Sequence, residues 1–503
     1  MKLSQLLAPD ECLTPLPYDP DILFITCRIE EIAPGCLFIC TKGKKADSHL
    51  MLPYILSHGA SAVLVEQDLP VPEEENRVLR VSSTRRAMAY AFSAFSHHPT
   101  RSLTVFGITG TNGKTSTACF LEACLRQGRY RTALVGTLGC YIDGVPYTAP
   151  TEEENKRLTT MTTPDPDTLY PLMREMVKRG VTHVVMEVSS HALALEKVSP
   201  ILFDFAVFTN LSPEHLDFHA DMDAYRRAKE KLFVSCRHAV LNTDDPFGLE
   251  LSTRLSCPVT TCGVVHEADA TATQMTPADG DGLSYFYRYG EKTNILTVHT
   301  PGLYQMSNSL LAVMAAHLAG VSVADAQKAL DRVRGIPGRL EKVSLPEDEV
   351  RVYIDYAHTE EALKNLLLTA RKFVRGEEKI LLVFGCGGDR DRTKRAPMGR
   401  CAMRYADRTV ITTDNPRTES PMAIINDILE GYSSADGRTV ITDRTKAIGF
   451  AIANANAGDV VLVAGKGHEG YEVRGREILP FDERKIIKEG LNARKATQTI
   501  GKR

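Results

Sequence analysis

The sequence predicts an α/β protein built from three domains. Its 503 residues are too many for one core and, at about 150 residues per domain, suggest roughly three. Strand-length apolar segments alternate with helical patterns along the chain, and this alternation restarts near residue 98 and again after residue 335. With 43% hydrophobic and 24% charged residues and a mean hydropathy of -0.16, the composition is that of a folded soluble protein. Disordered, collagen-like and coiled-coil classes are therefore excluded.

The first predicted domain covers residues 1–97. Short apolar segments at 36–40, 60–65 and 77–81 are separated by helical patterns such as that at 85–96, which indicates a small α/β domain. A polar stretch at 97–101 follows, so we place the first boundary there.

The second predicted domain covers residues 98–335. The alternation of its strands and helices argues for a largely parallel sheet with helices on both faces. The predicted strands are 103–108, 132–136, 182–188, 203–208 and 238–242, and the predicted helices are 114–126, 165–179, 221–235 and 306–319.

The third predicted domain covers residues 336–503 and repeats the pattern of a Rossmann-like domain. Its predicted strands are 350–356, 380–385, 408–412, 438–442 and 459–464. Polar residues follow each strand, and ligands of open α/β sheets bind at the carboxyl ends of the strands. This edge is therefore the second place, after the central domain, to expect chemistry.

The charge balance limits the partners and the compartment. Sixty basic and 63 acidic residues give a net charge of -3, which supplies no global field for nucleic acid or an anionic membrane. The first residues do not have the pattern of a signal peptide, and no apolar segment is long enough to span a bilayer. Twelve cysteines without C-x-x-C or zinc-type spacing indicate reduced thiols. We expect a cytoplasmic monomer with no nucleic-acid or membrane partner.

A glycine-rich loop at 107–115 carries the clearest chemical signal. It follows a strand and opens a helix, where backbone N–H groups and the helix N-terminus can hold phosphates. Lys114 would reach the β and γ phosphates, and the Thr115 hydroxyl would hold Mg²⁺. The loop departs from the strict Walker A pattern because Ile108 stands where a glycine is expected. A kinase, a GTPase switch, a motor and a ligase all remain open on this signal alone.

Six motifs, taken in their order along the chain, decide among these four classes of protein. They are 109–115, 187–191, 209–217, 355–359, 414–417 and 465–469. Together they resemble the Mur ligases of peptidoglycan synthesis, and within them the enzymes that add the third amino acid. The resemblance spans all three domains and implies an ATP-dependent ligase acting through an acyl phosphate. Such an enzyme joins an amino acid to UDP-N-acetylmuramoyl-L-alanyl-D-glutamate and releases ADP and phosphate.

The resemblance also implies the nucleotide and metal residues. For ATP they are Gly110, Thr111, Asn112, Gly113, Lys114, Thr115, Ser116, Asn308, Arg339, Asp355 and His358. For Mg²⁺ they are Thr115, Glu187 and His215, with a carbamylated lysine at Lys229. We expect Lys114, Lys229, Glu187 and His215 to be catalytic.

Lys229 can also be interpreted from its own helix. Its neighbours at i-4, i+3 and i+4 are Tyr225, Leu232 and Phe233, so it lies on the apolar face. The alternative is a lysine whose ammonium extends to solvent. A desolvated lysine has a lowered pKa, and its neutral amine can capture CO₂.

The contacts to the UDP-sugar substrate follow the family pattern less closely. The matching positions are Cys27, Arg28, Lys42, Gly43, His49, Thr162, Thr163, Ser189 and Lys197. Cys27 stands where the family has a serine, and Lys197 replaces an arginine, which keeps the charge and loses the bidentate fork.

The amino acid that is added is predicted from residues 414–417. meso-Diaminopimelate carries a second carboxylate that lysine lacks, and Arg417 offers a fork for it while Pro416 stiffens the loop. Asp414, Glu469 and the Gly465 carbonyl would hold ammonium groups, and Arg390 the other carboxylate. Asn415 also belongs to the predicted diaminopimelate site. The alternatives are ligation of L-lysine or, in a different class, a P-loop NTPase switch. Folylpolyglutamate synthetases share the architecture but are disfavoured by the muramoyl-type motifs.

Overall fold

The computed structural model describes residues 1–8, 12–13, 16, 18–43, 46–72, 75–278 and 282–501. Three sheets follow one another along the chain, each with helices packed against it. The predicted α/β class is confirmed, and the predicted parallel strands appear within about two residues of their expected bounds.

The first sheet has four parallel strands in the order β1-β2-β3-β4. They are β1 Phe24–Thr26, β2 Cys36–Ile39, β3 Ala62–Val65 and β4 Val78–Arg80, with helices α1 Leu52–Ser57 and α2 Thr84–Phe95. Ser83 begins α2, because its hydroxyl accepts a hydrogen bond from the Arg86 N–H at 3.2 Å.

The second sheet has eleven strands in the order β15-β14-β13-β12-β11-β10-β5-β9-β6-β7-β8. The strands are β5 Thr104–Thr109, β6 Thr132–Gly136, β7 Gly139–Ile142, β8 Val145–Pro146, β9 His183–Glu187, β10 Phe203–Phe208, β11 Cys236–Asn242, β12 Val259–Gly263, β13 Ala270–Pro277, β14 Leu283–Tyr289 and β15 Lys292–Val298. The run from β13 to β6 is parallel, whereas both ends of the sheet are antiparallel. The sequence prediction missed these antiparallel ends.

The helices of this domain lie between its strands. They are α3 Lys114–Gln127, α4 Glu152–Thr160, α5 Pro166–Lys178, α6 Ser190–Ala194, α7 Met222–Val234, α8 Pro246–Arg254, α9 Tyr304–Leu318 and α10 Val323–Leu330. Gly113 precedes α3 with a φ of 87°, a left-handed conformation that glycine adopts without strain.

The third sheet has the order β16-β17-β21-β18-β19-β20, and only β16 is antiparallel to its neighbour. Its strands are β16 Glu341–Lys342, β17 Arg351–Asp355, β18 Ile380–Phe384, β19 Arg408–Ile411, β20 Arg438–Val440 and β21 Val460–Ala464, followed by the hairpin β22 Tyr471–Arg474 and β23 Glu477–Pro480. The helices are α11 Glu360–Arg371, α12 Arg395–Tyr405, α13 Pro421–Leu429, α14 Arg444–Asn454 and α15 Glu483–Gly501.

The apolar cores divide the chain differently from the sheets. One buried cluster runs from Leu3 through Ala91 on α2 to Met173 on α5 and Leu251 on α8. It therefore belongs to the first and second sheets together. The buried clusters of the third sheet lie wholly within residues 340–491. Within the described part of the chain, no helix has the length and apolar character needed to cross a membrane.

Candidate active site

The glycine-rich loop is held in place by the end of β10. A Cβ on Gly110 would lie 1.8 Å from the Thr209 Oγ1, so only glycine fits there. The Thr209 hydroxyl donates to the Asn112 carbonyl at 2.6 Å, and the Asn210 Oδ1 accepts from the Asn112 N–H at 2.9 Å. The seven predicted residues 110–116 thus form one loop and the first turn of α3.

Lys114 lies over this loop. Its ammonium donates to the carbonyls of Gly110 at 3.0 Å and Thr111 at 2.8 Å, and burial lowers the pKa of the lysine. Asn308 lies against the same loop, since a Cβ on Gly113 would be 2.4 Å from the Asn308 Oδ1. The Asn308 amide donates to the Gln305 Oε1 at 3.1 Å, so Gln305 orients the predicted nucleotide contact.

Glu187 ends β9 as a fully buried carboxylate beside the loop. Its Oε2 accepts from the hydroxyls of Thr115 at 2.9 Å and Thr137 at 3.0 Å, and its Oε1 accepts from the Thr137 N–H at 2.9 Å. These bonds place a hard oxygen ligand next to the hydroxyl that a P-loop uses for Mg²⁺. Thr137 was not predicted, because its role depends on the pairing of β6 with β9.

Lys229 is 1% exposed, in agreement with its predicted apolar face. Its ammonium donates to the Gly110 carbonyl at 2.6 Å and lies 4.5 Å from the centre of the Tyr225 ring. Burial first, and then the nearby Lys114 charge, lower the pKa of Lys229 well below its ordinary value. Two lysines of separate helices therefore converge on one carbonyl of the loop.

Histidines surround the exit of β10. The ring of His215 lies 4.7 Å from that of His191, and burial lowers the pKa of each to about 4, so both are neutral at pH 7. Within the described residues, no three carboxylate, imidazole or thiol side chains form a group able to hold a metal ion. A metal here would therefore need the Thr115 hydroxyl, substrate oxygens or a modified side chain as further ligands.

Glu214 joins this region to the third sheet. Its carboxylate lies 3.2 Å from the His358 Nε2 and 3.6 Å from the His215 Nε2. Burial alone would raise the pKa of Glu214, but the hydrogen bond from His358 and the surrounding positive groups outweigh it and lower the pKa. Glu214 lies within the motif 209–217, yet the sequence interpretation did not single it out.

The third domain also reaches the glycine-rich loop directly. The Arg339 Nη2 donates to the Thr115 hydroxyl at 3.1 Å, and its guanidinium lies 4.7 Å from the centre of the Tyr356 ring. Asp355 accepts from the N–H groups of Leu340 at 2.6 Å and Ala357 at 2.8 Å, and burial raises its pKa. Asp355 thus shapes the turn that presents Arg339.

A cavity of about 590 Å³ lies between the central and third domains. The predicted residues that line it come from both sides: His215, His358, Arg390, Asp414, Asn415, Arg417, Gly465 and Glu469. His191, Glu214, Tyr356 and Tyr471 line it as well. Pro416 does not line the cavity; its carbonyl packs where a Cβ on Gly388 would stand, 2.0 Å away.

The third-domain wall of the cavity carries both signs of charge. The Arg417 Nη1 donates to the Gly388 carbonyl at 2.8 Å, and burial followed by the nearby Arg390 charge lowers the Arg417 pKa. The Asn415 amide donates to the Glu469 Oε2 at 2.9 Å. Burial and the Asp414 charge raise the pKa of Glu469. This wall also carries Glu360, Glu361, Asp391 and Lys394, so three cations and five carboxylates line it. Such mixed charge suits a ligand that is itself zwitterionic.

Three predicted contacts to the sugar substrate lie next to Glu187. The Thr163 hydroxyl donates to the Glu187 carbonyl at 2.9 Å and accepts from the Ser189 N–H at 3.0 Å. The hydroxyls of Thr162 and Thr137 are 3.1 Å apart.

Two of the other predicted contacts, Lys197 and Arg28, form ion pairs within the chain. Lys197 is 2.7 Å from Asp165, and Arg28 is 2.5 Å from Asp167. Burial raises the pKa of the Cys27 thiol. Lys42 and Gly43 are exposed in the neighbouring loop.

His49 is the least accessible of this set. It is 1% exposed, with its Nδ1 at 2.6 Å from the Asp47 Oδ1 and its Nε2 accepting from the Glu66 N–H at 3.2 Å. Both ring nitrogens are therefore used inside the domain, and His49 supports the loop of Lys42 and Gly43.

Comparisons with known proteins identify the family to which the chain is similar. Residues 108–316 match the Mur ligase middle domain, and residues 338–467 match the Mur ligase glutamate ligase domain. The UDP-N-acetylmuramoyl-L-alanyl-D-glutamate--2,6-diaminopimelate ligase of Syntrophomonas wolfei is 38% identical over 485 residues, covering 95% of this chain and 96% of that protein.

Two solved structures extend the comparison. A UDP-N-acetylmuramoyl-L-alanyl-D-glutamate--2,6-diaminopimelate ligase has a TM-score of 0.67 at 28% identity, covering 98% of this chain and 99% of the other. The MurF ligase of Thermotoga maritima in complex with ADP has a TM-score of 0.58 at 16% identity, covering 94% and 98%, which shows the fold alone.

Proposed function

Because the chain belongs to the Mur ligase family, whose members are ATP-dependent ligases, we propose that it joins 2,6-diaminopimelate to UDP-N-acetylmuramoyl-L-alanyl-D-glutamate in peptidoglycan synthesis. The observation that carries this assignment is the charged cavity between the central and third domains. It places two arginines and two carboxylates where an amino acid with two ammonium and two carboxylate groups can bind.

We assign one substrate to each predicted domain. Residues 1–97 would bind the UDP end, residues 98–335 would bind ATP, and residues 336–503 would bind diaminopimelate. Thr162, Thr163 and Ser189 support this order, since they lie on the central domain beside Glu187 and would receive the glutamyl end of the UDP substrate.

The reaction begins with a carboxylate, which is a poor electrophile. The glutamyl carboxylate attacks the γ-phosphorus of ATP, forming an acyl phosphate and releasing ADP. The diaminopimelate amine then attacks the acyl carbon, the phosphate leaves with the bonding electrons, and the amine loses a proton. Lys114 and the N–H groups of the loop would stabilise the transferring phosphoryl group. Arg339 is positioned to add a further cation from the third domain.

Mg²⁺ fits the residues around Glu187. Thr115, Glu187 and a carbamate on Lys229 would supply oxygen ligands, which this ion prefers, and His215 would complete the set from the exit of β10. Bound there, Mg²⁺ would neutralise phosphate oxygens. The buried, lowered-pKa amine of Lys229 favours carbamate formation, because CO₂ reacts with the neutral form.

We also propose the meso stereoisomer as substrate and a cytoplasmic monomer as the working form. All twelve cysteines are free thiols, as expected for a reducing compartment.

The direct test measures ADP release with each substrate omitted in turn. We expect release only when the UDP-muramoyl dipeptide and meso-diaminopimelate are both present, with L-lysine as the comparison amino acid. ATP turnover without either substrate would instead support a P-loop NTPase switch, and equal turnover with L-lysine would contradict the assignment of diaminopimelate.

A further inference from the structure

Lys466 is a buried lysine behind the third-domain wall of the cavity. It follows β21 and is 0% exposed, so it does not reach the cavity itself. Its ammonium donates to the Asn415 Oδ1 at 2.8 Å and to the Tyr471 carbonyl at 2.8 Å, and it lies 3.4 Å from the Asp414 Oδ1. One cation thus joins three segments, each of which contributes a residue to the cavity.

The bonds to Asn415 fix which way its amide faces. The Oδ1 of Asn415 accepts from both Lys466 and the Val473 N–H, the latter at 2.9 Å. The amide nitrogen must therefore point the other way, where it donates to the Glu469 Oε2 at 2.9 Å. Lys466 and the Val473 N–H thus both orient the amide that contacts the Glu469 carboxylate.

Asp414 depends on the same lysine. Its Oδ1 is buried and has no hydrogen-bond partner among the described residues, so the charge of Lys466 at 3.4 Å compensates for its burial. The backbone also limits its movement, because a Cβ on Gly465 would be 2.9 Å from the Asp414 Oδ2.

We propose that Lys466 is a positioning residue for the ammonium-binding part of the amino-acid site. It holds Asp414 directly, and Glu469 through Asn415, where they receive an ammonium group of the substrate. This proposal rests on the proposed function, since it requires an amino-acid substrate in the cavity.

The test replaces Lys466 with Met, which keeps the apolar stem and removes the charge and donors. We expect the KM for diaminopimelate to rise about 10- to 100-fold, because Asp414 loses its nearby cation, the Tyr471 carbonyl loses a donor and the Asn415 Oδ1 loses one of its two donors. The KM values for ATP and the UDP-muramoyl dipeptide should stay within about twofold. K466Q, which keeps amide donors and lacks the charge, should give a smaller rise of at least about threefold.

The parent enzyme and K495M are the controls. Lys495 lies on α15 of the same domain, and its ammonium is 2.7 Å from the Asp348 carboxylate. It does not line the cavity, so K495M should leave all three KM values unchanged. If the parent enzyme does not use diaminopimelate, the proposed function itself is refuted, and this is known before any variant is compared.

Three results would overturn the positioning role. The first is an unchanged KM for diaminopimelate in K466M, and the second is an equal rise for all three substrates. The third is a fall in the KM, which would mean that Lys466 merely competes with the substrate for Asp414. If K466M does not fold, K466Q decides alone, and an unchanged diaminopimelate KM there refutes the proposal.

Discussion

Arg417 should decide between diaminopimelate and lysine, and its replacement by Ala tests this directly. Both hydrogen bonds that its guanidinium donates to described residues come from Nη1, to the carbonyls of Gly388 and Asn415. The Nε and Nη2 groups therefore remain for a substrate carboxylate. Arg417 has a φ of 50°, so its backbone is in the left-handed region that non-glycine residues rarely adopt.

The expected magnitude follows from the two remaining donors. Each hydrogen bond from a guanidinium to a carboxylate contributes about 1.5–3 kcal/mol, so a fork contributes about 3–6 kcal/mol. At about 1.4 kcal/mol per factor of ten, R417A should lower kcat/KM for diaminopimelate about 10²- to 10⁴-fold. L-lysine has no carboxylate at that end, and its kcat/KM should change little.

The assay compares kcat/KM for meso-diaminopimelate and L-lysine in the parent, R417A and R390A. Arg390 is assigned to the carboxylate that both amino acids share, so R390A should lower both values together. An R417A variant with the parent's ratio of the two constants would refute the role of Arg417. Equal use of both amino acids by the parent would refute it as well.

Three further predictions concern the phosphate loop, the buried lysine and acid stability. K114A should lower ligation about a hundredfold or more at saturating ATP, and near-normal ADP release would show that the nucleotide binds elsewhere. K229A should be nearly inactive and regain part of its activity with a small carboxylic acid; a substrate-bound crystal structure with an unmodified Lys229 amine facing solvent would contradict this. The hydrogen bonds from Arg395 lower the pKa of Glu419 from 4.5 to about 2. Since the folded pKa is the lower one, this stabilisation is present above about pH 4.5 and is lost as the pH falls towards 2. Between pH 4.5 and about 2, the thermal unfolding temperature of R395M should fall less steeply with pH than that of the parent. Parallel plots of unfolding temperature against pH would exclude the Arg395–Glu419 pair as the cause.

The sequence alone was enough to predict those candidate site residues that lie at the carboxyl ends of parallel strands. Asp355 ends a strand of the third sheet, Asp414 and Gly465 follow two others, and parallel strands bring their carboxyl ends to one edge. The burial of Lys229 could be predicted because its helical neighbours are apolar, which is a local property of the sequence.

Contacts between distant segments could not be predicted in the same way. Lys466 meets Asn415 across 51 residues, and Glu214 meets His358 across the two domains. A single sequence does not record which polar side chain will face which. The strands β13 to β15 were missed for a related reason, since only β14 alternates clearly between buried and exposed residues.

The way in which the apolar cores are divided limits the length of UDP-linked substrate that the enzyme can use. The first two sheets share one core through α2 and α5, whereas the buried clusters of the third sheet lie within residues 340–491. With the UDP end bound at the first sheet, as proposed, this shared core would set the distance from the UDP end to the glycine-rich loop. A UDP-linked acceptor one residue shorter or longer would then place its carboxylate away from that loop.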